Sequence, residues 1–85
     1  MPTQQPGARL PAIGQRIKAI KQLTWTIGEF EDFPLIVEPG DQGIVVGIDY
    51  SNRNIDIEWD KDEQKHLRKC VILDSDQRQW PIRPI

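Results

Sequence analysis

The sequence predicts an all-β protein: a small, strongly bent, partly open barrel of five strands. Three observations carry this expectation. Ile44-Val45-Val46-Gly47-Ile48 is a β-branched run led by the turn-forming stretch Pro39-Gly40-Asp41-Gln42-Gly43. Asn54-Ile55-Asp56-Ile57-Glu58-Trp59-Asp60 alternates polar and apolar residues strictly, the period of a half-buried strand. Between them, Tyr50-Ser51-Asn52-Arg53 has the polar, asparagine-bearing composition of a hairpin loop.

The remaining elements follow in chain order. Residues 1–13 hold three prolines and a glycine without apolar periodicity, and read as a flexible N-terminal arm with Leu10 to Ile13 touching the barrel. The barrel spans residues 14–85. Gly14 opens a first strand with Ile17, Ala19 and Leu23 inward and Arg16, Lys18 and Gln22 outward; Ile20 and Lys21 break the alternation, which predicts a bulge or twist there. Thr24 to Glu38 reads as a long connection, with Leu35-Ile36-Val37 a short returning strand. At Pro39-Gly40, proline presets φ and glycine supplies the positive φ of a type II turn. On the next strand Ile44, Val46 and Ile48 are expected to share the inner face, and Gly47 to admit a bend or a close backbone approach. Ile55, Ile57 and Trp59 face inward on the third strand, and Asp56, Glu58 and Asp60 outward. A polar turn at Asp60–Gln64 leads to a fourth strand from Lys65 to Cys70, whose Lys65, His66, Arg68 and Lys69 are expected to answer that acidic row. After the apolar Val71-Ile72-Leu73 and a turn at Asp74-Ser75-Asp76, Gln79 to Ile82 reads as a closing strand, placed at an edge by Pro81 and Pro84. The predicted core is Ile17, Ile44, Val46, Ile48, Ile55, Ile57, Trp59 and Leu73.

Eighty-five residues form one domain with a thin core. A net charge of −2 provides no global basic field, which disfavours a nucleic-acid partner. No apolar run approaches the ~18 residues of a membrane-spanning helix, and the N-terminus lacks the apolar core of a secretory signal. A single cysteine, Cys70, precludes an internal disulfide and fits a cytoplasmic location. One histidine and one cysteine make a zinc site unexpected, and no metal or other cofactor is predicted.

The chemistry-bearing residues do not assemble into a catalytic pattern. Carboxylates at alternate positions of one strand stand roughly 7 Å apart, so Asp56, Glu58 and Asp60 read as a solvated face. His66 has no nucleophile placed for it, and Cys70, before an apolar run, reads as a half-buried small hydrophobe. The chain is therefore expected not to be an enzyme. The aromatic side chains Trp25, Phe30, Phe33 and Tyr50, rimmed by Glu29, Glu31 and Asp32, are the candidate contact residues for a larger protein partner, because rigid aromatics bind at low entropic cost. The alternative is a nucleic-acid-binding accessory domain using Arg16, Lys18, Lys21 and Arg53.

Gly14-Gln15-Arg16-Ile17, a long loop, Pro39-Gly40-Asp41-Gln42-Gly43-Ile44-Val45-Val46 and Ile55-Asp56-Ile57-Glu58-Trp59-Asp60 together resemble the small SH3-like barrel domains of bacteria. The pattern is similar to an uncharacterised bacterial family with a proline-glycine turn, a GxV strand and a strand ending in Trp-Asp. The same hairpin occurs in SH3-like domains of mind-bomb and HERC-type proteins. The resemblance covers about residues 14–73 and implies an SH3-like barrel, a fold that hosts peptide binders, ribosomal modules and accessory subunits. The paired-tyrosine loop motif of proline-binding SH3 domains is missing, which speaks against proline-rich ligands.

Overall fold

The computed structural model describes residues 9–26, 34–65 and 67–85. Within them the strands are β1 (Arg16–Ala19), β2 (Leu23–Trp25), β3 (Leu35–Val37), β4 (Gln42–Asp49), β5 (Asn54–Trp59), β6 (Cys70–Ile72) and β7 (Ile82–Pro84), with a turn of 3-10 helix at Gln77–Gln79. Five of them form an antiparallel sheet in the order β6-β5-β4-β1-β7; β2 and β3 form a separate two-stranded sheet. The all-β class stands, but the larger sheet does not close into a barrel.

β1 follows its sequence period: Ile17 and Ala19 are buried while Arg16 and Lys18 face out. It stops at the predicted irregularity, where the chain bends at Ile20-Lys21 and the Ile20 N–H donates to the Pro81 carbonyl. Residues 24–38 are more than a connection. Leu23 pairs with Val37 and Trp25 with Leu35, so Leu23, Trp25, Leu35 and Val37 share the face packed on the core. The Glu38–Asp41 turn forms as expected: Gly40 has φ +98° and the Asp41 N–H donates to the Glu38 carbonyl at 3.0 Å.

β4 departs from its expected register. Val45 pairs with Ile57 and Gly47 with Asp56, so one residue, Val46, is bulged out between them. The bulge reverses which side chains face in. Val45 is fully buried, Val46 is 48% exposed, and Ile44 is only half-buried; Ile48, beyond the bulge, packs against the core. The predicted inner set Ile44, Val46, Ile48 is thus corrected to Val45 and Ile48. Gly43 is where the close approach occurs: a Cβ there would lie 2.9 Å from the Glu58 carbonyl oxygen and 2.9 Å from Ile57 Cγ2.

β5 keeps its period, with Ile55, Ile57 and Trp59 buried. Trp59 is fully enclosed and packs at 5.9 Å against the ring of Trp25. The predicted strand Lys65–Cys70 is not formed: β6 begins only at Cys70. The stretch before it is a loop built around two ammonium groups. Lys65 Nζ donates to the carbonyls of Trp59, Asp60 and Asp62. Lys69 is buried; its Nζ lies 2.5 Å from Asp62 Oδ2 and donates to the Gln64 carbonyl. Among the described residues, the one ion pair of the expected kind is Arg68 with Asp56, at 3.5 Å.

The closing strand is β7 at Ile82–Pro84, preceded by the 3-10 turn rather than starting at Gln79. As its prolines require, it lies at a sheet edge. Ile82 and Trp80 are buried, and the Trp80 indole N–H donates to the Asp74 carbonyl at 2.6 Å. The core also extends into the expected arm: Pro11 is buried and Leu10 packs against the cluster.

Candidate functional site

The β4–β5 hairpin ends in a turn that is tied at several points. Asp49 caps it, accepting from the Ser51 N–H at 3.1 Å and from Asn52 Nδ2 at 2.8 Å. The Asn52 amide, foremost, holds the Asp49 carboxyl below the usual carboxylate range. Arg53 adopts φ +54°. Its Nε donates to the Leu73 carbonyl at 2.8 Å and its Nη2 to that of Asp74 at 3.1 Å, so the turn is clamped to the chain after β6. Tyr50 stands on this clamped turn and is 74% exposed.

Cross-strand pairing sets the surface beside it. Asp49 opposes Asn54, which opposes Ile72 of β6; one step along, Gly47 opposes Asp56, which opposes Cys70. Directly opposed residues project from the same face. Ile72, 72% exposed, therefore stands at the far end of a row beginning next to Tyr50. Beside this row a groove of about 380 Å³ is lined by Asp49, Asn54, Asp56 and Cys70 together with Ile13, Ile48 and Arg68. Gly47 also lines it, and a Cβ there would meet Asp56 Oδ2 at 2.9 Å. Cys70 Sγ donates to Asp56 Oδ1 at 2.7 Å. Burial first, and the adjacent Asp56 carboxylate second, push the Cys70 thiol above its ordinary value, so it is held protonated and is a poor nucleophile.

Of the partner-contact residues expected from sequence, Tyr50 is displayed on the surface. Trp25 is half-buried: its ring lies against Trp59 and its Nε1 donates to the Cys70 carbonyl at 3.1 Å, bridging β2 to the edge strand β6. Phe30, Phe33, Glu29, Glu31 and Asp32 lie outside the described residues, as does His66. Of the alternative basic set, Arg16 is bound to Asp60 through Nη1 at 3.1 Å and Nη2 at 2.5 Å, and to Gln42 at 3.1 Å. Arg53 is the clamp just described. Lys18 and Lys21 are exposed. The four do not form one free basic face. Among the described residues no group of three or more His, Cys, Asp or Glu side chains is placed to hold a metal ion. Sequence reasoning did not single out Ile72, Ile13 or the groove. A parity argument on Cys70-Val71-Ile72 could have found Ile72, had β6 been started at Cys70.

Together these features define a small two-sheet antiparallel β protein whose surface carries isolated apolar side chains on a polar background. Comparison with known proteins finds no matching family model, no matching curated protein and no matching solved structure.

Proposed function

We propose that this chain is a non-catalytic protein-interaction module or accessory subunit that binds a larger protein. Its fold is read as a partly open SH3-like barrel. The strand order β6-β5-β4-β1-β7, the two-stranded hairpin β2–β3 folded onto the core and the 3-10 turn before the last strand support that reading. The observation that carries the function is Tyr50: an exposed aromatic on a turn whose backbone is fixed by Asp49 and Arg53. An aromatic on a backbone that is already fixed loses less entropy on binding, and such residues often dominate contact energetics. Ile72, exposed at the end of the row that starts at Asp49, supplies a second apolar contact, with the groove beside that row as the hydrogen-bonding part of the surface.

The test is site-specific photo-crosslinking in the native host. Benzoylphenylalanine at position 50 should give one discrete protein adduct; the same probe at exposed Gln79 should not. Equal labelling at both positions, or none at position 50, would reject the reading.

A further inference from the structure

Most cations of the described residues are already committed. Arg16 faces Asp60, Lys61 faces Asp41, Arg68 faces Asp56, Lys69 faces Asp62 and Arg78 faces Asp76. Lys65 and Arg53 bind backbone carbonyls. Lys18 and Arg83 differ. They are direct partners on the adjacent antiparallel strands β1 and β7, and both are exposed. Neither makes an ion pair among the described residues. Side chains so placed leave the sheet on one face, and like charges directly opposite repel. On the other flank of Lys18 stands Gln42, which carries no charge. Beyond it, Asp60 is gripped by both Nη atoms of Arg16. Lys21, exposed just past the end of β1, adds a third cation near this end of the strand.

Among the described residues of a chain with more acids than bases, two cations thus face each other with no acid between them. Local conflicts of this kind are expected where binding, not folding, selects the residues. We propose that the Lys18–Arg83 face of β1 and β7 binds an extended acidic segment of a protein partner through its carboxylates. Neighbouring strands lie ~4.8 Å apart, and alternate side chains of an extended segment ~7 Å apart, so two long cationic side chains can each reach one carboxylate. Recognition runs through side chains and not by strand addition, because Pro84 on β7 has no N–H to offer at the sheet edge. A polyphosphate is the poorer occupant: affinity for it grows with the number of phosphates neutralised, and two facing cations neutralise few of them. The proposal does not rest on Tyr50, and the two surfaces are tested with different variants.

The experiment is an NMR titration of the labelled full chain at about 50 mM salt, where exposed charges are weakly screened. The probes are a blocked peptide of alternating glutamate and serine and an oligothymidylate of equal charge. The peptide should shift the amides around Lys18 and Arg83. Lys18→Glu should weaken the peptide about three- to fivefold, and Arg83→Glu should do the same. Each variant should also raise Tm by about 2–5 °C, because a repulsive cross-strand pair becomes an attractive one. If one variant fails to fold, the other decides. The proposal is overturned if the peptide causes no shifts or shifts elsewhere. It is equally overturned if charge reversal leaves its affinity unchanged or lowers Tm in both variants, or if the oligonucleotide binds more tightly than the peptide.

Discussion

Asp56 serves two partners with one carboxylate: Oδ1 accepts from the Cys70 thiol at 2.7 Å and Oδ2 lies 3.5 Å from Arg68 Nε. Because the carboxylate is the second cause, after burial, of the raised Cys70 pKa, Asp56→Asn should increase the thiolate fraction without making the thiol fully reactive. At pH 8 the variant should react faster than wild type with a disulfide reagent such as DTNB; an equal or slower rate would remove Asp56 from this role. Glycine substitutions separate two kinds of constraint. Gly40 has open space around a Cβ but φ +98°, so Gly40→Ala is opposed by backbone strain alone, about 1 kcal/mol. Gly43 has no such strain, yet a Cβ would meet Glu58 backbone and the Ile57 side chain at 2.9 Å. Gly43→Ala should therefore cost more, about 1–3 kcal/mol by denaturant unfolding, since the obstructing backbone belongs to the paired strand. The positive φ of Gly40 was legible from Pro39-Gly40. The crowding at Gly43 was not, because it depends on which residue of β5 stands opposite.

At the scale of elements, the β4–β5 hairpin and the loop before β6 show where sequence patterns hold and where they fail. β5 alternates cleanly because its partners on both sides are in register with it through Asn54–Asp56. β4 contains five apolar or glycine residues in a row from Gly43 to Gly47, so either parity was available, and only the bulge at Val46 decides the face. The loop was hidden for another reason. A lysine is almost never fully buried unless paired, so Lys69 read as an outward strand residue. In the fold it lies with Asp62, which also accepts the Gln64 N–H at 2.9 Å. Breaking such a pair strands a buried charge. Lys69→Met should destabilise the chain by about 3–5 kcal/mol, whereas Lys69→Met with Asp62→Leu should recover most of the loss. Equal instability of single and double variants would show that the loop depends on the charges themselves and not on their balance.

For the whole molecule, the class of fold, the hairpin and most of the predicted core were legible, because period-2 alternation and turn chemistry are local properties. The second sheet was not: Leu23-Thr24-Trp25 and Leu35-Ile36-Val37 are three-residue strands that acquire meaning only by pairing across a long intervening segment. Electrostatics also act at this scale. Asp60 is held below the usual carboxylate range by Arg16, Asp41 by the Glu38 N–H and then Lys61, and Asp76 by Arg78. Carboxyls with depressed folded-state pKa values contribute stability that is complete above the unfolded value and is lost as pH falls through the folded one. Tm should be flat down to about pH 5 and decline below about pH 4, modestly, since these groups are exposed and screened; an identical Tm at pH 3 and pH 6 would contradict it. The central claim is that Tyr50 is a contact residue on a fixed support and not part of that support. The direct measurement is the affinity of Tyr50→Ala for the crosslinked partner, taken alongside its Tm. The account predicts at least about a tenfold loss of affinity with Tm unchanged; retained affinity, or a fall in Tm that accounts for the loss, would contradict it.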